Sequence, residues 1–307
     1  MRSPTTTAAT KKAVATTVDW LIYAVGAGLG HARRGWLLQR ELQAAGHSAL
    51  LLVRPSSDRH LPAGKAPRIL AESLADPALR PVLYQPPRTL VVDTFASGWR
   101  GELRGELPER FASRVWLARH SRSHSAADAA RFHRVLSPYP ASRCEWDGRM
   151  PAARHGGYLV DAAHLDLRPD RRHFALVDSE RRCNARLLDL LQTAARRAGL
   201  AFRLHRCLHD RIRAAKLLVV GAGYHSFYEC LSQEVDVRFL PVEKRHDDQH
   251  RRARRFRRAL SSLDELLPWL TAPASAPAAE VRIDHPAVLA ALGLTVATAP
   301  ARLPQPG

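Results

Sequence analysis

The sequence is poor in acidic residues, with 29 Asp and Glu against 47 Lys and Arg. The resulting formal net charge of +18 calls for an anionic partner. An anionic nucleotide, an anionic membrane surface and nucleic acid all qualify. The arginines are spread along the whole chain rather than gathered in one segment, so a solvated surface that needs no such partner is an equal alternative.

Long apolar runs are also missing, since no stretch reaches the roughly 18 residues that a transmembrane helix needs. Residues 1–17 are rich in Thr and Ala and lack the apolar centre of a signal peptide, which predicts a loose N-terminal tail. The four cysteines form no CxxC pair, which favours a reducing compartment. We therefore expect a cytoplasmic protein.

Metal-binding signatures are absent from the sequence as well. It contains no HExxH, and no two aspartates are separated by a single residue. His205, Cys207 and His209 alternate along a possible strand, but neither a second pair of ligands nor a fourth ligand accompanies them. The sequence therefore predicts neither a bound metal nor another cofactor.

What the sequence does contain is a repeated alternation of apolar strands and helical patterns. Strands are predicted at 21–25, 49–53, 90–93, 114–118, 134–136, 174–177, 201–204, 217–220 and 237–241. Helices are predicted at 33–45, 181–198, 209–215, 226–231 and 248–260. Such alternation is typical of parallel sheets covered by helices on both faces.

A segment rich in proline and glycine, 137–170, interrupts this alternation and predicts two domains. We assign 18–160 to an N-terminal Rossmann-like domain and 161–271 to a C-terminal one. Residues 272–307 are predicted to be a Pro- and Ala-rich linker and tail that holds one weak apolar helix at 286–292.

Two glycine-rich turns, at 26–30 and 221–223, each follow a predicted strand. A strand that leads through glycines into a helix points backbone N–H groups at one spot, which suits a phosphate. The first turn does not predict a dinucleotide site, because the second strand runs into Arg54 and Pro55 where an acidic ribose ligand would be expected.

The turns and their flanks resemble GT-B glycosyltransferases, in particular the branch of MurG-like, UDP-sugar family 28 enzymes. Residues 28–34 (Gly-Leu-Gly-His-Ala-Arg-Arg) resemble that branch's N-terminal glycine–histidine turn. Residues 221–226 (Gly-Ala-Gly-Tyr-His-Ser) resemble its Gly-Gly-x-x-Thr/Ser turn, and Glu229 follows on the next helix. Residues 246–249 (His-Asp-Asp-Gln) resemble its Asp-Gln element.

This resemblance implies two Rossmann-like domains that face each other across a cleft, with the acceptor bound by 18–160 and the nucleotide sugar by 161–271. It implies transfer of a sugar from a nucleoside diphosphate donor, with UDP as the expected nucleotide, to an acceptor that the sequence does not identify. It also implies direct displacement without a metal and with inversion at the anomeric carbon. His31 is the expected general base. Asp93 is expected to orient His31 or to bind the acceptor.

The resemblance implies donor contacts from both turns, from the following helix and from the Asp-Gln element. The turns would bind the diphosphate, Glu229 would hold the ribose hydroxyls, and Asp248 and Gln249 would hold sugar hydroxyls. An N-terminal helix acid is the alternative for Asp248. The expected donor-binding residues are Gly28, Gly30, Gly221, Gly223, His225, Ser226, Glu229, Asp248 and Gln249.

Some features of the sequence depart from the family pattern and leave other functions open. Asp178 and Glu180 stand where the family has a glycine-rich turn, and their charge would repel a diphosphate. Hydrolysis of the nucleotide sugar and a non-catalytic basic protein that binds nucleotide sugar, nucleic acid or an anionic membrane are the alternatives. The arginine-rich run 251–258 predicts either a solvated helix or peripheral contact with an anionic membrane. Nucleic acid is disfavoured there, because Phe256 is the run's one aromatic residue.

Overall fold

The computed structural model describes residues 18–26, 28–63, 66–105, 107–119, 125–141, 153–161, 165–260, 262–273 and 281–294. The predicted tail 1–17, most of the predicted linker 272–280 and residues 295–307 lie outside the described residues, as does Ala27 of the first glycine turn. None of the helices in these ranges has the length and apolarity that crossing a bilayer requires.

The N-terminal half forms a seven-stranded parallel sheet with strand order β3-β2-β1-β4-β5-β6-β7. Its strands are β1 (Trp20–Tyr23), β2 (Ala49–Val53), β3 (Arg68–Leu70), β4 (Thr89–Asp93), β5 (Ser113–Leu117), β6 (Arg134–Ser137) and β7 (Ala153–His155). Strands β1, β2 and β4 are buried along their whole length, which explains why their sequences are continuously apolar.

The helices of this half are α1 (Leu29–Ala44), α2 (Pro55–Asp58), α3 (Arg80–Tyr84) and α4 (Ala126–Ala130), with 3₁₀ turns at Pro77–Leu79, Glu102–Arg104 and Leu107–Arg110. Helix α1 lies close to the sheet, because a Cβ on Gly35 would come within 2.7 Å of the Leu51 side chain. As predicted, Gly46 terminates α1: the helix ends at Ala44, and the φ of 86° at Gly46 is a conformation that glycine adopts readily.

The C-terminal half forms a four-stranded parallel sheet with strand order β11-β10-β8-β9. Its strands are β8 (Asp166–Val177), β9 (Ala201–His205), β10 (Arg211–Val220) and β11 (Asp236–Leu240). The helices that follow are α5 (Ala185–Arg197), α6 (Tyr224–Leu231), α7 (Gln249–Arg255), α8 (Leu266–Thr271) and α9 (His285–Ala291), with a 3₁₀ turn at Leu263–Glu265. The prediction of an α/β fold built from two parallel sheets is therefore confirmed.

Two predicted helices of this half are wrong in type or length. The helix predicted at 209–215 is mostly strand, because Ile212 and Ala214 alternate with exposed arginines and face the core. The helix predicted at 248–260 ends at Arg255, and Arg257 has a φ of 53° that breaks the helical path. Beyond it, Ala259 pairs with Phe239 of β11.

The last helix returns to the N-terminal half. Helix α9 confirms the helix predicted at 286–292, but the sequence placed that helix in a tail, whereas Val288 and Leu289 are buried in one cluster with Leu37 and Leu38 of α1. At the start of α9, Nδ1 of His285 lies 3.1 Å from Oε1 of Glu41. Nε2 of His285 donates to the backbone carbonyl of Val160, in the segment that joins the halves. The chain therefore crosses between the halves twice.

Candidate functional site

The N-terminus of α1 meets the carboxyl end of β4 at a histidine–aspartate pair. Nδ1 of His31 lies 2.6 Å from Oδ2 of Asp93, the last residue of β4. Arg34, one turn further along α1, donates from Nε and Nη2 to the two oxygens of the same carboxylate, each at 2.8 Å. Asp93 is fully buried and His31 is 8% exposed. The structure thus brings the two expected catalytic residues together and adds Arg34, to which the motif at 28–34 assigned no role.

The surroundings of Asp93 keep its carboxylate ionised. Burial alone would raise the pKa of Asp93, but Arg34 and His31 outweigh burial and hold that pKa well below its usual range. Burial lowers the pKa of His31, and Asp93 opposes this effect only in part. His31 is therefore a neutral imidazole near pH 7. Because the carboxylate can only accept, the proton sits on Nδ1 and Nε2 carries the lone pair.

A strained turn directly after β4 shapes the wall beside His31. Thr94 has a φ of 63°, which is rare for a β-branched residue, and the backbone N–H of Phe95 donates to the carbonyl of Asp93. Trp116 Nε1 donates to the Thr94 carbonyl at 2.8 Å and helps to hold the turn. The turn places the Phe95 ring against the His31 imidazole, with centroids 5.1 Å apart. Strain of this kind concentrates at functional sites.

The first glycine turn makes room for the histidine. A Cβ on Gly26 would lie 2.6 Å from Nε2 of His31, so only glycine fits beneath the ring. Gly28 precedes α1 as an N-cap without a side chain. The carbonyl of Gly30 accepts a hydrogen bond from Nε2 of His225 in the other half, at 3.1 Å. The structure thus gives this turn two functions, seating of the His31 ring and contact between the halves, that the phosphate-binding interpretation did not predict.

The second glycine turn leads into α6 without a capping side chain. Gly221 has a φ of 85°, and Gly223 is the N-cap of α6 in an extended conformation. Ser226 lies half-buried in the first turn of this eight-residue helix. Helix N-terminal N–H groups that no side chain caps are suited to an anion.

The Asp-Gln element supports the second turn. Oε1 of Gln249 accepts hydrogen bonds from the backbone N–H of Ala222 at 2.7 Å and of Val242 at 3.1 Å. Asp248 caps α7 by accepting from the N–H of Arg251, which is the alternative that the sequence left open for Asp248. The structure thus gives both side chains a role in holding the backbone, and their expected sugar contacts stay a prediction.

The neighbouring Asp247, to which the sequence motif assigned no role, joins the two halves. Its Oδ1 lies 3.2 Å from Nη1 of Arg119, at the carboxyl end of β5, and 2.8 Å from Nη2 of Arg252. Burial would raise the pKa of Asp247, but the two arginines hold it well below its usual range. Arg252 is turned inward and donates to the Ala222 carbonyl, so this arginine of the 251–258 run does not face solvent.

Glu229 of α6 is a buried carboxylate among cationic groups. It is 1% exposed and lies 3.9 Å from Arg33, 3.7 Å from His209 and 3.5 Å from His225. Burial would raise the pKa of Glu229, but His225, Arg33 and His209 hold it below its usual value. Within the described part of the chain, Oε2 of Glu229 and Nδ1 of His225 have no hydrogen-bond partner. Buried polar atoms of this kind are available to bind a ligand or water.

These unpartnered atoms border a cavity of about 280 Å³ between the two halves. Its N-terminal wall consists of Arg33, Trp36, Leu37, Arg59, His60, Leu61 and Pro62. Its other wall consists of His209, His225 and Glu229, with Asp161 from the connecting segment. His31 and Asp93 are not among the residues that line this cavity.

The predicted repulsion by Asp178 and Glu180 is offset by nearby partners. The Asp178 carboxylate is buried and accepts from the backbone N–H groups of Arg182 and Cys183 and from Arg206. Glu180 pairs with Lys244, with Nζ 2.8 Å from Oε2. A cluster of three or more possible metal ligands does not occur within the described ranges, which include His205, Cys207 and His209.

Comparison with known proteins identifies the architecture. No protein-family model and no curated protein matches the sequence. MurG of Acinetobacter baumannii has a similar structure, with a TM-score of 0.59, 14% identity and coverage of 90% of this chain and 99% of that one.

Two further solved structures are similar. The spinosyn rhamnosyltransferase SpnG complexed with thymidine diphosphate has a TM-score of 0.58 and 14% identity, covering 89% of this chain and 99% of that one. UGT89C1 of Arabidopsis thaliana complexed with UDP-L-rhamnose has a TM-score of 0.58 and 13% identity, covering 91% and 93%. These likenesses show that the chain has the GT-B fold, as the family resemblance implied.

Proposed function

We propose that this protein is a glycosyltransferase that moves a sugar from a nucleoside diphosphate donor to an acceptor hydroxyl. The observation that carries the proposal is the pairing of His31 with Asp93 at 2.6 Å, beside an aromatic wall and at an edge where the two halves meet. A neutral imidazole with its free lone pair on Nε2 is a suitable general base.

In the proposed reaction, Nε2 of His31 accepts the proton of the acceptor hydroxyl as its oxygen attacks the anomeric carbon. The bond between that carbon and the diphosphate oxygen breaks, and the nucleoside diphosphate leaves with the bonding electrons. Asp93 stabilises the imidazolium that forms, much as the carboxylate of a Ser-His-Asp triad does. A single displacement of this kind inverts the configuration at the anomeric carbon.

The α6 N-terminus is the proposed diphosphate site. The N–H groups after Gly223 and the hydroxyl of Ser226 would stabilise the negative charge that develops on the leaving group. The Arg33 guanidinium, near Glu229, adds positive charge at the same boundary between the halves. Metal independence is part of this proposal, and a chelator is expected to leave turnover unchanged.

Glu229 is the proposed ribose ligand. An ionised carboxylate accepts two hydrogen bonds from neighbouring hydroxyls, and Oε2 of Glu229 is buried without a partner at the cavity. Two of the similar proteins were solved with thymidine diphosphate and with UDP-L-rhamnose. A UDP-linked sugar is therefore the donor that we propose first, with a TDP-linked sugar second.

Contact with an anionic membrane is a separate proposal, in which the exposed arginines at 254, 255 and 257 meet lipid headgroups. Binding to vesicles that contain phosphatidylglycerol, and its loss at high salt, would support this contact. Equal binding to neutral vesicles would contradict it.

The experiment that tests the transferase function measures release of UDP or TDP from a panel of sugar donors, with and without a mixture of candidate acceptors. Acceptor-dependent release that His31→Gln abolishes would support the transferase. Acceptor-independent release of free sugar would indicate the hydrolase, in which water takes the acceptor's place. Binding of a nucleotide sugar without any release would indicate a non-catalytic binder.

A further inference from the structure

A second cavity lies wholly within the C-terminal half. It has a volume of about 730 Å³ and shares no lining residue with the cavity beside Glu229. Its lining comes from β11, which is an edge strand of the sheet, from the segment 254–260, and from α8 with the turn before it. The proposed transferase site therefore does not account for this cavity.

Three arginines line the cavity, namely Arg238 of β11, Arg254 near the end of α7 and Arg257 just beyond that helix. None of the three forms an ion pair with a residue that the structure describes. Asp264 and Glu265 also line the cavity, but both are exposed, so solvent and salt weaken their effect. Three cations against two screened anions leave the lining positive.

Arg238 is the member of this set whose surroundings most favour a bound anion. It shares one face of β11 with Asp236, because side chains two positions apart in a strand point the same way. The buried Asp236 carboxylate is compensated by Nζ of Lys216 at 2.5 Å. Nη1 of Arg238 donates to the Arg257 carbonyl at 2.7 Å, whereas its buried Nε has no partner among the described residues. A bound anion would supply the acceptor that this cation lacks.

The rest of the lining is mostly apolar and is fixed in place. Leu260 and Trp269 are buried, and Pro268 lies beside them at the surface. Arg257 has a φ of 53°, which glycine would adopt at less cost, yet it carries a long cationic side chain into the lining. Strained residues of this kind concentrate at functional sites.

We propose that this cavity binds a phosphate ester with an apolar body. The three arginines would hold the phosphate, and Leu260, Pro268 and Trp269 would contact the apolar part. Guanidinium groups suit this ligand because their planar donors match the geometry of phosphate oxygens. The ester is either the headgroup of an anionic phospholipid or a soluble molecule. The site is independent of the proposed donor site, since the two cavities have no residue in common.

The test is calorimetric titration of the full chain with hexyl phosphate, with inorganic phosphate and with hexanol. Hexyl phosphate should bind more tightly than either, because each buried methylene strengthens binding by about fourfold and the phosphate adds charge-assisted hydrogen bonds. Arg254→Gln should weaken hexyl phosphate binding by about tenfold or more. The matched control is Arg255→Gln, which removes the same charge from the next position of α7, outside the lining, and should bind like the parent.

A thermal melt checks that both variants are folded. Equal losses in Arg254→Gln and Arg255→Gln would overturn the site and indicate diffuse attraction to a basic surface. Hexyl phosphate that binds no more tightly than inorganic phosphate or hexanol would overturn it as well. Neither result would affect the proposed transferase function, which the release of UDP or TDP tests separately.

Vesicles distinguish the two sources of the phosphate once hexyl phosphate has bound as expected. Weaker binding of Arg254→Gln than of Arg255→Gln to phosphatidylglycerol vesicles, with no binding of either to phosphatidylcholine, would assign the site to a lipid headgroup. Equal binding of the two variants to phosphatidylglycerol vesicles would assign it to a soluble ester.

Discussion

Nδ1 of His31 lies 2.6 Å from Oδ2 of Asp93, although 62 positions separate the two residues in the chain. Strands β1 and β4 are neighbours in the parallel sheet, with Tyr23 opposite Val92. The segment after β1 and the end of β4 therefore meet at one edge, which is where open α/β sheets bind ligands. The geometry supports the proposed assignment of His31 as the base and Asp93 as the residue that orients it.

Replacement of His31 by Gln is expected to lower kcat by about 10²- to 10⁴-fold, because the acceptor hydroxyl loses its general base. The Asp93–Arg34 pair remains intact in this variant, so the protein should stay folded. Steady-state nucleotide release and a thermal melt measure the two effects. Wild-type kcat in a folded His31→Gln protein would contradict the assignment.

Asp93→Asn tests the same pair from the other side. It leaves Arg34 buried without a charged partner, and removal of one member of such a pair costs about 3–5 kcal/mol of unfolding free energy. Urea unfolding of this variant should therefore show a large loss of stability that His31→Gln does not share. Equal stability of the two variants would show that the Arg34–Asp93 contact contributes little.

Gly26→Ala is expected to displace the His31 ring, because the added Cβ would lie 2.6 Å from Nε2. A shift of about 1 Å in a catalytic group can lower the rate by about 10²-fold. The matched control is Gly105→Ala, where the Cβ meets nothing within 4 Å. If both alanine variants keep the parent's kcat, the ring does not need the space above Gly26.

The pH profile of kcat/KM should show an acidic limb whose midpoint lies below pH 6.5, the ordinary pKa of histidine. Burial lowers the pKa of His31, so the base remains neutral and active to a lower pH than an exposed histidine would. The limb should vanish from the residual activity of His31→Gln. A midpoint above 6.5 would mean that Asp93 outweighs burial.

His285 is expected to make the stability of the fold depend on pH. Burial would lower its pKa, but the hydrogen bonds to Glu41 and to the Val160 carbonyl outweigh burial and raise it above 6.5. The folded state therefore binds the proton more tightly, so the stabilisation is full below pH 6.5 and is lost as pH rises through the folded-state pKa.

Urea unfolding of the parent and of His285→Gln, at about pH 5.5 and about pH 8.5, measures this contribution as a difference that cancels the other titrating groups. The variant should be less stable than the parent at the lower pH and closer to it at the higher one. His155→Gln, at an exposed histidine, is the control. A difference in unfolding free energy between the parent and His285→Gln that grows as the pH rises would contradict the raised pKa of His285.

Much of the fold could be predicted because central strands such as β1, β2 and β4 are buried along their whole length and read as apolar runs, whereas the partly exposed β3 and β7 were not predicted. Strand β2 was predicted with its observed bounds, and the glycine stop of α1 was predicted from the residue type. Strand β10 was mistaken for a helix in its first half, because the arginines there favour helices while the period-two burial of Ile212 and Ala214 depends on β8 beside it.

The candidate site could be predicted in part. His31 and Glu229 were singled out through the family resemblance and Asp93 because it ends a strand, and their roles stay predictions. Arg34 and Asp247 lie inside the quoted motifs but were assigned no role, because the sequence does not show which distant residue a buried charge pairs with. The strain at Thr94 is likewise set by its surroundings, above all by Trp116 and Arg34.

The most direct test of the account is calorimetric titration with UDP, TDP and GDP of the parent, of Glu229→Gln and of Glu234→Gln, an exposed glutamate of the same half. We predict that UDP or TDP binds the parent more tightly than GDP and that Glu229→Gln weakens this binding at least about tenfold, while Glu234→Gln does not. Equal weak binding of all three nucleotides, unchanged in Glu229→Gln, would contradict the proposed donor site.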